Sequence, residues 1–240
     1  MANMVNCRLI YPYYENPKML ERQVENWNRY SGDLRDHVKI ILVDDGSPTN
    51  PARPIVETCK APIALYRVLQ NIPWGQHGAR NIGAKVCGKD GTWMFMSDMD
   101  ILLTPEMAYT LLTKDLDPAH THTFERHYLT PGKEPKYHCN SFMVLRDHYW
   151  KVGGYDEDYC GTYGGDGPFL RQLNVVAPRE HHDDIILLGV DTDVCADANT
   201  QAWDRTGPFK EEYRRRFDEK RRKGDERSLN PLRTPWERLI

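Results

Sequence analysis

Residues 38–47 read Val-Lys-Ile-Ile-Leu-Val-Asp-Asp-Gly-Ser. A short run this rich in β-branched residues predicts a strand covered on both faces, as in a parallel sheet between helices. The run stops at Asp44-Asp45-Gly46-Ser47-Pro48, a cluster of turn-forming residues. Two carboxylates therefore stand directly at the end of a buried strand.

The same pattern repeats outward from this stretch. Residues 7–11 form a short apolar strand that ends at Pro12, and Pro17 then opens a helical pattern through Met19, Leu20, Val24 and Trp27. On the other side come a short helix over 55–59, a strand over 64–69 and a helix over 76–86 closed by Gly88. Residues 92–96 read as a strand that runs straight into Ser97-Asp98-Met99-Asp100, and Thr104-Pro105-Glu106 then starts another helix with a cap, a first-turn proline and an early acid. This alternation predicts an α/β fold, a parallel sheet with helices on both faces. Ligands of such sheets bind beyond the carboxyl ends of the strands. Both acid clusters lie at that edge.

The second half is less regular. Residues 120–129 and 137–145 read as strands, the latter followed by a turn or short helix over 146–151. A glycine-rich stretch follows over 153–167, then a helix over 168–173, a last strand over 185–190 and a charged helix over 211–223. Pro231 and Pro235 break the final segment, and no internal repeat is present.

Bulk properties exclude little. The chain has 240 residues, 40% of them hydrophobic, and a formal net charge of −3, so global charge names no partner. Its distribution says more: from Lys210 to Arg238 there are eleven Lys and Arg against seven Asp and Glu, an excess of four positive charges. Such a run is either a solvated helix face or a surface for an acidic partner such as nucleic acid. Six cysteines without a Cys-x-x-Cys pair look like small buried thiols of a reducing compartment, which gives a cytoplasmic expectation. Arg8 and Glu15 interrupt the apolar run a secretion signal would need, and no apolar stretch is long enough to span a bilayer.

Asp98-x-Asp100 puts two carboxylates at the start of one loop. Oxygen ligands of this kind suit Mg²⁺ or Mn²⁺, which favour one or two carboxylates plus phosphate oxygens. A dinucleotide site would need Gly-x-Gly-x-x-Gly, which is absent, and no P-loop occurs. A nucleotidyltransferase is an alternative class, but it would carry a glycine-rich phosphate loop after the first strand, where this chain has Tyr11-Pro12-Tyr13-Tyr14-Glu15. A non-enzymatic nucleic-acid-binding module would account for the basic tail and leave the ordered acid motifs without a purpose.

The segments at 40–47 (IILVDDGS), 78–83 (GARNIG) and 95–100 (FMSDMD) occur in an order and spacing that closely resemble family 2 glycosyltransferases and their GT-A relatives. The resemblance implies a Rossmann-like nucleotide-binding sheet and a nucleotide-sugar donor, UDP by family habit. It places nucleobase binding on Asp44 or Asp45, a donor-side role on Arg80, and ribose and metal binding on Asp98 and Asp100, with Pro12 and Tyr13 lining the base pocket. Further on, Gly153-Gly154-Tyr155-Asp156-Glu157 and Tyr163-Gly164-Gly165-Asp166-Gly167 look like the acceptor region of galactosyltransferase-type members, whose pattern is G-G-[YF]-D-E and then G-G-E-D. The second motif departs from that pattern: Asp166 stands in place of the Glu and Gly167 in place of the Asp. Asp166, the sole carboxylate of the motif, becomes the expected general base of an inverting displacement. Tyr155, Asp156, Gly164 and Gly165 are the expected acceptor-binding positions.

Related enzymes often add a metal ligand from a histidine after this motif, which points to His182 of the His181-His182 pair. His120, His122 and His127 lack a cysteine or acid at ligand spacing, so they predict no zinc site. The polar stretch 191–208, with Trp203 inside, reads as a lid or a plain surface loop. The expected organisation is a nucleotide-sugar-binding half over 1–118, an irregular α+β acceptor and catalytic half of the same domain over 119–205, and a basic tail over 206–240. The acceptor is expected to be a saccharide or glycoconjugate. Tyr213, Phe217 and Trp236, interleaved with the basic tail, leave a hydroxylated base in DNA as the alternative.

Overall fold

A computed structural model describes residues 4–196, 207–224, 228 and 230–240. The chain runs β1 (Cys7–Tyr13), α1 (Pro17–Asn28), α2 (Gly32–His37), β2 (Val38–Asp44), α3 (Arg53–Val56), β3 (Ile63–Val68), α4 (Gln76–Val86) and β4 (Trp93–Met96). It continues with β5 (Ile101–Leu102), α5 (Pro105–Thr113), β6 (Thr121–Tyr128), β7 (Phe142–Leu145), α6 (Arg146–Lys151), a 3₁₀ turn (Glu157–Tyr159), α7 (Asp166–Val176) and β8 (Arg179–Gly189). The C-terminal elements are α8 (Pro208–Arg222) and β9 (Trp236–Arg238).

The sheet order is β5-β8-β6-β7-β4-β1-β2-β3-β9. Its centre, β4-β1-β2-β3, is parallel, as the β-branched runs require. The two faces of β2 divide between two cores. Ile40 and Leu42 pack with Leu20, Trp27 and Leu111 on one side, while Ile41 and Val43 pack with Ala79, Ile82 and Tyr149 on the other. Helix starts follow the caps: Asn16 Oδ1 accepts from the Met19 N–H ahead of Pro17, and Thr104 Oγ1 accepts from the Met107 N–H ahead of Pro105. Helix α4 can lie close on β1 because Gly83 faces Ile10; a Cβ there would overlap the isoleucine side chain.

The second half extends the same sheet. β7 pairs antiparallel to β4, β6 antiparallel to β7, and β8 parallel to β6. β8 is longer than the expected 185–190 strand and begins at Arg179, and a register shift follows the Phe124–His182 pair.

Within the basic C-terminal segment, β9 adds antiparallel to β3 at the edge of the sheet, with Trp236 edge-on to Tyr66. Buried Glu157 clamps this segment: its carboxylate accepts from the Leu232 and Arg233 N–H groups at 2.7 and 3.2 Å and from the Thr234 hydroxyl at 3.2 Å. Prolines 231 and 235 kept this strand out of the sequence reading, since three residues between turns give no periodicity. The lid expectation at 191–208 falls mainly on residues 197–206, including Trp203, outside the described residues.

Candidate active site

A cleft of about 730 Å³ opens at the carboxyl ends of β1, β2 and β4. Pro12 and Tyr13 close β1, Asp45 follows β2, and Asp98 and Asp100 follow β4; all five line the cleft. The opposite wall comes from the second half, with Arg126, Lys133, Lys136, His138, Asn140, Tyr163 and Asp166.

The two acids after β2 have different jobs. Asp44 is fully buried and accepts from the backbone N–H groups of Ser47 at 2.8 Å and Ala52 at 3.0 Å, so it shapes the loop and does not line the cleft. Asp45 is the one that reaches the cleft. Burial, reinforced by the neighbouring Asp44 charge, pushes its carboxyl well above the usual range, against a smaller opposing pull from Arg80. Tyr13 is anchored by its hydroxyl, which donates to the Asn50 carbonyl at 2.7 Å.

Arg80 is the centre of the site. Helix α4 carries it with no solvent exposure, its Nη2 donates to Asp98, and its Nη1 donates to Asp166 Oδ1 at 3.1 Å. Burial penalises this charge, yet the Asp98 and Asp166 carboxylates more than offset the penalty and keep the guanidinium protonated. The Tyr155 ring supports it from beneath, 5.0 Å from the guanidinium carbon. Asp166 opens α7 after Gly165, whose φ of +98° few other residues adopt. Burial raises the Asp166 carboxyl, but His77, Arg80 and Asn140 outweigh it and hold the group below the ordinary carboxylate range. Asp166 is therefore an ionised acceptor at neutral pH, about a quarter exposed to the cleft.

The metal-ligand expectation is corrected at one position. Asp98 and Asp100 are joined by His138, not by His182: one ligand atom from each of these three lies within 4.8 Å of the others. His138 Nδ1 is 2.8 Å from Ser141 Oγ, which is itself 2.7 Å from Ser97 Oγ, while His138 Nε2 faces Asp98 Oδ2 at 3.6 Å. This hydroxyl pair occupies one ring nitrogen and leaves the other for the cleft, as an outer partner of a ligand should. Two carboxylates with one imidazole suit a divalent ion of the Mn²⁺ type. His182 instead lies on β8 against His122, with its Nε2 2.9 Å from His122 Nδ1. Nothing in the local spacing of Tyr137-His138-Cys139-Asn140 sets His138 apart; antiparallel pairing of β7 to β4 brings it there.

The glycine-rich motifs also differ from expectation. Tyr155 is fully buried and stacks on Phe169 at 3.9 Å between centroids, so it forms the floor beneath Arg80 and not an acceptor surface. Asp156 pairs with Lys220 at 2.7 Å and belongs to the seat of α8. Gly164 and Gly165 make room for neighbours, since a Cβ would strike the Tyr213 ring at the first and His77 and Tyr159 at the second. The aromatic residues of the C-terminal segment are half-buried against neighbours: Tyr213 packs on Tyr159 and Phe217, and Trp236 on Tyr66. Arg215 and Arg216 pair with Glu212, and Lys223 pairs with Glu219.

Solved structures share the architecture at low identity. The structure of S. aureus TarS 1–349 in complex with UDP-GlcNAc superposes with a TM-score of 0.63 at 12% identity, covering 83% of this chain and 62% of that one. A mannosyltransferase from Pyrobaculum calidifontis, in complex with GDP-Man and Mn²⁺, gives 0.57 at 16% identity over 76% and 56%. GalNAc-T7 with UDP, GalNAc and Mn²⁺ gives 0.60 at 14% identity over 87% and 46%. The chain thus spans less than two thirds of these proteins, and the likeness establishes the GT-A, Rossmann-like fold. Among the described residues no helix is long and apolar enough to cross a membrane. No curated protein sequence matches the chain. The model of the family described as Glycosyl transferase family 2 matches residues 9–169, which takes in the Asp98-x-Asp100 loop, Arg80 and Asp166, and the chain belongs to that family.

Proposed function

We propose that the chain is a metal-dependent glycosyltransferase that moves a sugar from a nucleotide-sugar, of the UDP type, to an acceptor hydroxyl with inversion. The observation that carries this reading is the convergence of Asp98, Asp100, His138, Arg80 and Asp166 on one cleft. The nucleobase sits against Pro12 and Tyr13 with Asp45 beside it, and Asp98 takes the ribose side of the donor. Asp98, Asp100 and His138 would hold a Mn²⁺ or Mg²⁺ ion, which when bound would supply positive charge to offset that of the leaving diphosphate. Solved neighbours in complex with UDP-GlcNAc, with UDP and Mn²⁺, and with GDP-Man and Mn²⁺ support a nucleotide-sugar donor and a divalent ion.

The residues of the chain do the rest. Arg80 fixes Asp98 and Asp166 relative to each other, so donor and base share one rigid reference. Asp166 accepts the proton of the acceptor hydroxyl as its oxygen attacks the anomeric carbon from the face opposite the phosphate. One C–O bond forms, the bond to the phosphate oxygen breaks, and the configuration inverts.

The acceptor is a saccharide or glycoconjugate. The pairing of Tyr213 with Tyr159 and Phe217, and of Trp236 with Tyr66, already occupies part of each ring on which a DNA base would stack, which supports this over a DNA base. The test is a panel of UDP- and GDP-sugars with Mn²⁺, reading nucleotide release and product anomer by NMR. Nucleotide release that disappears in Asp166→Asn, with an inverted product, is expected. A product retaining the donor configuration would overturn the role given to Asp166.

A further inference from the structure

Outside the lining of the cleft, β6 and β8 bring together three side chains that the proposed reaction does not use. The two strands are parallel, and the register pairs His122 with Glu180 and Phe124 with His182. Side chains two residues apart on one strand share a face, so His122, Glu180 and His182 are neighbours on one side of the sheet. Trp93, at the start of β4, packs on His122, whereas Asp98 follows the end of β4. Through Met143 of β7, His122 is level with Phe95 of β4, so the cluster sits within the sheet, four residues along β6 before Arg126 of the cleft wall.

We propose that His122, Glu180 and His182 form a second metal site, a structural site of the Zn²⁺ type that ties β8 to β6. One ligand atom from each lies within 4.8 Å of the others. His122 Nδ1 is 2.9 Å from His182 Nε2 and 3.5 Å from Glu180 Oε2. Tetrahedral ligands about 2.0–2.1 Å from zinc stand roughly 3.3 Å apart, a value these two distances bracket.

The hydrogen-bond network favours an ion over a plain contact. His122 Nε2 is 2.9 Å from the Asp117 carbonyl, which can only accept, so that nitrogen carries the proton. His122 Nδ1 is then a lone pair facing a carboxylate and a second imidazole. A proton on His182 Nε2 can satisfy His122, and the half-exposed Glu180 carboxylate then has only solvent to offset the lone pair it faces. A divalent cation satisfies all three. The Asp117 carbonyl is the outer partner that a metal-bound histidine normally has. His122 and His182 are buried while the Glu180 side chain is 45% exposed, which leaves an open side for entry and for a water as fourth ligand. Just beyond His182 the β6–β8 pairing shifts register, so the site lies beside an irregularity in the pairing. The missing acid that kept His120, His122 and His127 from predicting zinc is supplied by the adjacent strand.

The test titrates Co²⁺, then Zn²⁺, into the full chain carrying Asp100→Ala and His138→Ala, which disables the cleft site. One equivalent of Co²⁺ with the visible bands of a tetrahedral complex, displaced by Zn²⁺, is expected. Adding Glu180→Gln, a substitution at a half-exposed position the fold tolerates, should weaken binding beyond the roughly 10- to 100-fold typical of losing an outer partner. His182→Gln should abolish the bands. Absence of a tight equivalent in the cleft-disabled chain, or unchanged binding with Glu180→Gln, overturns the proposal.

Discussion

Arg80 Nη1 lies 3.1 Å from Asp166 Oδ1 while Nη2 of the same buried guanidinium holds Asp98, so one side chain joins the acidic loop after β4 to the start of α7. The two halves of the cleft are thereby fixed to one another by a planar fork with two separately directed donors. An ammonium cannot reproduce this, because it is a point charge on a flexible stem.

Arg80→Ala should accordingly destabilise the protein by about 3–5 kcal/mol, since it leaves two carboxylates facing each other without their counter-charge. Arg80→Lys should recover only part of this. Urea denaturation of the three proteins measures it, and a loss under about 1 kcal/mol for Arg80→Ala would show that the guanidinium is not the organising charge.

Asp166→Asn keeps the shape of the side chain and removes its ability to take a proton. Turnover should fall by about 10²- to 10⁴-fold, the usual range for a positioned base, with donor affinity little changed. A parallel loss in donor affinity alone would assign Asp166 to binding. The comparison needs steady-state kinetics with donor and acceptor varied separately.

Asp45 makes a pH-dependent prediction. Its folded-state carboxyl is raised above its unfolded value, so its contribution to stability is fully present below about pH 4 and is lost as pH rises through the raised folded value. Asp45→Asn lacks this loss. Relative to the wild type it should gain stability as pH increases, at most about 1.4 kcal/mol per pH unit. Melting curves of both proteins between acid and neutral pH measure the difference, and a constant gap across that range would contradict the assignment.

Glu157→Ala should release the C-terminal edge. Its carboxylate accepts from the Leu232 and Arg233 N–H groups, the Thr234 hydroxyl and Asn81 Nδ2. Removing a carboxylate with this many partners leaves buried donors unpaired, at about 1–3 kcal/mol each. Hydrogen exchange at residues 236–238 should accelerate more than exchange in β1 or β2.

The first half of the fold was legible because its signals are local. Residues 38–43 form β2 where their composition says, and the acids of 44–45 and 98–100 follow strands whose parallel order places them at one edge. What escaped the sequence depends on pairing across long separations. His138 reaches Asp98 only because β7 runs antiparallel to β4, and His182 is drawn away to His122 by the parallel register of β6 and β8. Tyr155 and Asp156 carry a motif familiar from acceptor sites, but their neighbours Phe169 and Lys220 turn them inward. The three-residue strand β9 has no periodicity to read; its place is dictated by Glu157, some 75 residues earlier.

The most direct test of the central claim is calorimetric titration of UDP and GDP, with and without Mn²⁺, against the wild type and Asp100→Ala. Binding of one nucleotide that requires Mn²⁺ and is lost in Asp100→Ala is the predicted result. Binding of neither nucleotide under any condition, or equal binding by both proteins, would contradict the account.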